Sequence, residues 1–155
     1  MINAENRGRV NSFISEHWFS TDMVIRGTII DMTKVDGIIA LENCDIIGLL
    51  TYTIRDDVCE ITSLDSLIEG KGIGTTLINK VIRIAKEGGC HKIIVVTTND
   101  NINAIRFYQK RGFDMAKLYH NALDVSRKIK PSIPLIGDNG IPLKDEIEFE
   151  INFVG

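Results

Sequence analysis

The 155-residue chain is short of the groups that cross-link or metallate a protein. Its three cysteines, Cys44, Cys59 and Cys90, are scattered with no CxxC pair, and its three histidines, His17, His91 and His120, are equally dispersed. An odd, unspaced set of thiols reads as reduced cysteines in a reducing compartment rather than as a disulfide framework. Neither residue type shows the spacing of a zinc site, so no metal is expected. No apolar run approaches the roughly 18–20 residues of a membrane span. The opening MINAENRGRV has no apolar core of the kind a signal peptide needs. These absences lead to the expectation of a soluble, cytoplasmic protein with no membrane contact. Disorder is excluded by 44% hydrophobic residues and a net charge of only −3. A chain of this length buries roughly 68–70% of its unfolded surface, so one domain spanning 1–155 suffices and needs no staple.

Charge is scarce in total but unevenly placed. Residues 1–70 hold 5 Lys/Arg against 12 Asp/Glu, residues 71–130 hold 12 against 4, and residues 131–155 hold 1 against 5. A local basic excess attracts a polyanion even in an acidic molecule. The sequence pI of 5.6 is far from the basic balance of a nucleic-acid binder, and no nucleic-acid partner is expected. A small phosphorylated ligand fits the basic middle third better, provided that a phosphate cradle lies there.

Hydrophobic periodicity divides the chain into short elements. Residues 7–19 place Val10, Phe13, Ile14, His17 and Trp18 at helical spacing. Residues 37–41, 46–54 and 58–64 read as strands, separated by turns at 42–45 and 55–57, which predicts an antiparallel meander. Residues 72–87 switch to a period of 3.6, with Ile73, Leu77, Ile78, Val81, Ile82 and Ala85 on one face, and Gly88-Gly89 ends that helix. Residues 91–98 have a continuous apolar centre, as in a strand covered on both faces. A short helix over 101–111, a strand from Phe113 towards Leu118 and a brief helix over 123–130 follow. In residues 146–153, Ile147, Phe149, Ile151 and Phe153 alternate with Glu146, Glu148, Glu150 and Asn152, the pattern of a half-buried strand. The fold class is α+β.

The segment Glu69-Gly70-Lys71-Gly72-Ile73-Gly74-Thr75-Thr76 stands between a strand and the amphipathic helix. Its glycines allow close backbone approach, and the first amides of the helix, at its positive dipole end, suit an anion. Lys71 adds a mobile cation, and Thr75 and Thr76 add hydroxyls. A Walker A loop would need Lys-Ser/Thr after the last glycine, and a dinucleotide fingerprint would need GxGxxG in a parallel unit; neither pattern is met.

Residues 69–74 resemble the [QR]-x-x-G-x-[GA] loop of the GNAT superfamily of acetyl-CoA-dependent N-acetyltransferases. About thirty residues on, Asn101-Ile102-Asn103-Ala104-Ile105-Arg106-Phe107-Tyr108-Gln109-Lys110-Arg111-Gly112-Phe113 resembles that family's N-x-x-A-x-x-[FL]-Y-x-x-x-G-F signature. The likeness covers roughly residues 38–119. It implies a mixed, mostly antiparallel sheet flanked by helices, in which strands 58–64 and 92–98 part to admit pantetheine. It further implies that Lys71, Gly72, Ile73, Gly74, Thr75 and Thr76 hold the pyrophosphate of acetyl-CoA. On the same basis, the backbone at Ser63 and Leu64 pairs with the pantetheine arm, Asn101 hydrogen-bonds that arm, and Tyr108 protonates the departing thiolate. The chain departs from the family pattern at Glu69, where Arg or Gln is usual.

An amine must be neutral to attack a thioester, so a base is required. Glu60 is the first candidate, with Glu16 and His17 as further ones. Direct transfer in a ternary complex is expected, because no cysteine stands out as an acyl carrier. The acceptor is a small-molecule or peptide amine, and the acidic first 70 residues suit a cationic one. Fold does not choose among acceptors. A non-catalytic acyl-CoA-binding module, acting as a sensor or assembly partner, is the competing reading. A homodimer through residues 131–143 and the strand that follows is left open.

Overall fold

The computed structural model describes residues 1–18, 22–25, 28–68 and 70–153. In chain order the elements are α1 (Arg7–Trp18), β1 (Asp22–Ile25), β2 (Thr28–Asp31), β3 (Asp36–Glu42), β4 (Asp45–Arg55), β5 (Val58–Ser66), α2 (Ile73–Glu87), β6 (Lys92–Thr98), α3 (Ile102–Lys110), β7 (Asp114–Tyr119), α4 (Ala122–Ile129), a 3₁₀ turn at Asp138–Gly140 and β8 (Glu146–Asn152). β1 and β2 form a two-stranded sheet. The main sheet is mixed and mostly antiparallel, with six strands in the order β3-β4-β5-β6-β8-β7. The expected α+β class holds. β1 and β2 have no counterpart in the sequence reading, because four-residue strands are too short to show a period. Phe19 and Glu69 lie outside the described residues, as do the side chains of His17 and Trp18.

The chain falls into two compact units. The first takes in α1, β3 to β5, α2 and the start of β6. Its meander turns tightly twice, through Asn43 and Cys44 (φ 51° and 71°) and through Asp56 and Asp57 (φ 52° and 61°). Consecutive left-handed residues match the twist of the strands they join, and Asn and Asp tolerate that conformation. α2 buries Leu77, Ile78, Val81 and Ala85. Its first residue lies over Gly48 of β4: a Cβ on Gly48 would meet Ile73 Cγ2 at 2.7 Å. Its far end comes down near Ile54, whose Cδ1 would lie 3.9 Å from a Cβ on Gly88. α2 therefore runs along β4, on the face that carries Gly48, Leu50, Tyr52 and Ile54.

The second unit holds most of β6, α3, β7, α4 and β8. β7 and β8 pair antiparallel, with Met115 opposite Phe149, Lys117 opposite Glu148 and a bulge between. Phe149 is fully buried, as the alternation predicts, but Glu146 and Glu148 are buried too, each 4% exposed. The half-buried reading of this strand is thus corrected on its polar face. β8 is an internal strand of the sheet, and its register brings β7 groups to the carboxylates. The Tyr119 hydroxyl donates to Glu148 Oε1 at 3.0 Å, and Lys117 Nζ stands 3.9 Å from Glu148 Oε2.

Candidate active site

The glycine-rich loop ends in the open start of α2. Gly72 is the N-cap, left-handed at φ 70° and ψ 17°, and contributes no side-chain cap. Gly70 is also left-handed, at φ 78°, and nothing lies within 4 Å of a Cβ placed on either glycine. The surface there is bare backbone, with Lys71 exposed between the two glycines. No acidic residue occupies the first turn of α2. A helix directs its first amides out of its N-terminal end and carries about half a positive charge there, which suits a phosphate. Ile73, Gly74 and Thr75 supply those amides. Thr76 differs from its neighbours, because its amide and its hydroxyl both donate to Gly72 O, at 2.9 Å and 3.0 Å. It closes the first turn.

Gly48 is a residue that the sequence reading missed. A glycine inside a strand pattern signals close backbone approach, and here it lets the first turn of α2 settle onto β4. Without that seat the bare amides would ride higher above the sheet.

β5 carries three of the expected groups. Its register against β4 slips between Thr51 and Tyr52, so that Ser63 opposes Thr51 and Ile61 opposes Tyr52, with Thr62 the extra residue. Such a bulge twists the strand and re-aims its side chains. Thr51 Oγ1 lies 2.7 Å from Thr62 Oγ1 and 2.6 Å from Ser63 Oγ, and the three hydroxyls are buried. Glu60 opposes Thr53, so Glu60 and this hydroxyl cluster share the face of β4 and β5 turned away from α2. Glu60 and Leu64 are half-buried. Thr51, the hub of the cluster, was not anticipated, since cross-strand pairs depend on a bulge that no periodicity shows.

α3 carries the other two expected residues, in the second unit. Asn101 is its N-cap, and its Oδ1 accepts from the amide of Ala104 at 3.1 Å. That bond leaves the Nδ2 hydrogens as the donors Asn101 offers to a ligand. Tyr108 is 7% exposed. Its ring packs edge-on against Phe107 and Phe113, with centroids at 5.4 Å in both cases, and against Phe149 at 5.9 Å. These contacts fix the ring at the end of α3 opposite to Asn101.

Two of the three thiols make poor acyl carriers. Cys59 is buried, and desolvation pushes its pKa up to about 12. Burial also raises that of Cys90, while Cys44 lies exposed in the β3–β4 turn. A thiol held protonated is a weak nucleophile. Among the described residues no helix is long and apolar enough to cross a membrane.

Comparison with known proteins bears on the family and the fold. Residues 11–113 match the family model described as Acetyltransferase (GNAT) family. The chain is 47% identical over 139 residues to the protein YxbD of Bacillus subtilis (strain 168), a match covering 89% of this chain and 87% of that one. It is 28% identical to a GNAT family acetyltransferase from Elizabethkingia anophelis whose structure has acetyl-CoA bound, with a TM-score of 0.64 over 74% of each chain. A Bacillus subtilis acetyltransferase in complex with CoA, 19% identical, shares the fold at a TM-score of 0.67 over 99% of this chain and 95% of that one. Together these define the class as an acetyltransferase. The chain belongs to the GNAT family of acetyltransferases.

Proposed function

We propose that the chain is one N-acetyltransferase domain that moves an acetyl group from acetyl-CoA to a primary amine by direct transfer in a ternary complex. The observation that carries this is the bare, uncapped N-terminus of α2 behind Gly72, with no acidic side chain in its first turn. Acetyl-CoA supplies an acyl group activated as a thioester. Lys71 and the amides from Gly72 to Thr75 hold its pyrophosphate, and Thr76 keeps the turn closed beneath them. The backbone at Ser63 and Leu64 holds the pantetheine arm, and Asn101 donates to it. The new C–N bond replaces the C–S bond. Glu60 takes the proton that the amine loses, and the Tyr108 hydroxyl gives one to the sulfur, because a thiol leaves more readily than a bare anion. Direct transfer is supported by the burial of Cys59 and Cys90, which keeps them from acting as carriers. The acceptor is a small-molecule or peptide amine. The excess of acidic residues before Gly70 favours a cationic one.

Calorimetric titration with acetyl-CoA, followed by thiol release in the presence of candidate amines, tests this reading. Micromolar binding with amine-dependent thiol release is the expected result; binding without turnover on any amine would favour an acyl-CoA sensor instead. Tyr108→Phe should lower turnover roughly 100-fold, the low end of what a positioned acid contributes, and leave the acetyl-CoA Kd unchanged. A lost Kd would recast Tyr108 as structural. Glu60→Gln should lower turnover and shift the ascending limb of the pH–rate profile, since an amide cannot take the proton from the amine. An unaltered limb would take Glu60 out of the mechanism.

A further inference from the structure

The connection from β7 to β8 contains a small hairpin that is bound tightly to the corner where β6 passes into α3. Residues 135–143 fold back on themselves. Ile136 bridges Pro142, the Gly137 amide donates to Ile141 O at 2.8 Å, and the Leu143 amide donates to Leu135 O at 2.9 Å. Left-handed Asn139 and Gly140, at φ 60° and 69°, make the tip. The base of the hairpin is held by Asn99. Its Oδ1 accepts from the amides of Lys144 and Asp145, both at 3.0 Å, and its Nδ2 donates to Pro142 O at 2.8 Å. The tip is held by Asp100.

Asp100 is 5% exposed. Its Oδ2 accepts from the Asp138 amide at 2.8 Å, its Oδ1 accepts from the Thr98 hydroxyl, and its carbonyl accepts from Asn139 Nδ2 at 3.4 Å. Gly137 gives way to it, since a Cβ there would stand 2.1 Å from Asp100 Oδ2. The residue that follows Asp100 is Asn101, whose own amide donates to Thr98 O at 3.1 Å. The N-terminal turn of α3 is therefore fixed from outside the helix, by the hairpin tip. Tyr108, almost two turns on, is fixed by Phe107, Phe113 and Phe149. The two ends of α3 have separate supports.

We infer that Asp100 is a positioning residue for cosubstrate binding: by joining the hairpin tip to the β6–α3 corner, it sets the direction in which Asn101 presents its Nδ2 donors. The inference rests on the proposed role of Asn101 as a contact for the pantetheine arm. It predicts a defect confined to that arm. Hydrogen bonding, rather than charge, is what Asp100 contributes. An asparagine would reproduce it, with Oδ1 accepting from the Asp138 amide and Nδ2 donating to the Thr98 hydroxyl.

The test measures two affinities on the same folded variants. Acetyl-CoA carries the arm, and adenosine 3′,5′-bisphosphate has the nucleotide end without it. Asp100→Ala should weaken acetyl-CoA about five- to tenfold, the worth of about one hydrogen bond, and leave the nucleotide affinity as in the wild type. Gly137→Ala, which drives the carboxylate from its place, should do the same. Asp100→Asn should bind both ligands like the wild type. Equal losses for the two ligands would reduce Asp100 to general stability, and unchanged acetyl-CoA affinity in folded Asp100→Ala and Gly137→Ala would refute the inference while the acetyltransferase reading stood. Wild-type protein that did not bind acetyl-CoA would overturn that reading, and the inference with it.

Discussion

α2 and α3 each follow a strand, and they begin in opposite ways. α3 is sealed: the Asn101 side chain takes the Ala104 amide at 3.1 Å. α2 begins at a left-handed glycine with no side-chain cap. A cap of the Asn type is worth about 1 kcal/mol, so α2 forgoes a stabilisation that α3 has. The difference follows from what each helix buries. α2 is 15 residues long and buries Leu77, Ile78, Val81 and Ala85, with each large aliphatic side chain contributing roughly 1.5–3 kcal/mol. α3 is 9 residues long and buries only Tyr108. A long, well-packed helix keeps its shape with its end open, and a short one needs the cap. The open end is where a phosphate can bind, so the helix with stability to spare is the one on which the proposed anion site falls.

The largest effect should come from closing that open end. Gly72→Val places a β-branched residue at φ 70°, a conformation that costs an L-residue roughly 1–2 kcal/mol even before branching, and sets a side chain where nothing now lies within 4 Å. Acetyl-CoA affinity should fall by at least about 100-fold by calorimetry, since the variant both moves the amides and covers them. A folded variant with normal affinity would break the comparison, because α2 would then be open for no ligand. The reverse operation at α3 should be milder. Asn101→Ala should cost about 1 kcal/mol, lowering the unfolding midpoint by about 2–4 °C for a protein of this size, and should weaken acetyl-CoA by the loss of its Nδ2 donors. Stability unchanged by this substitution would mean that the cap does not hold α3.

Part of this contrast was legible in the sequence. The glycine-rich stretch leading into a helical period announced the open start of α2, whereas the capping role of Asn101 emerged only in the structure. The meander and both tight turns followed from β-branched runs interrupted by Asn, Asp and Cys44. What was not legible is what depends on pairing between distant residues. The bulge at Thr62 decides that Thr51, Thr62 and Ser63 form one hydroxyl cluster, yet an alternating pattern has no term for an extra residue. The burial of Glu148 is matched by Tyr119 and Lys117, which the β7–β8 register delivers. Local alternation read that carboxylate as solvated because it contains no information about partners. The latch of Asp100 onto residues 137–139 joins positions nearly forty apart, and only Gly137, Asn139 and Gly140 mark the turn in the sequence.

Thr76 sharpens the comparison at the smallest scale. The sequence offers it as a phosphate donor, next to Thr75 in a loop that suits an anion. In the structure its amide and its hydroxyl are both directed back to Gly72 O, so neither proton points out of the open end of α2. The hydroxyl bond is exposed and duplicates one the amide already makes, and bonds of that kind add little to a helix. Thr76→Val keeps the side-chain shape and removes only that bond. The expected outcome is an acetyl-CoA Kd within about twofold of wild type and a change in stability of a few tenths of a kcal/mol. A loss of about tenfold, the worth of a charge-assisted hydrogen bond, would mean that the hydroxyl turns outward when pyrophosphate arrives. The cradle would then extend one residue further into α2 than the amides ahead of Thr76.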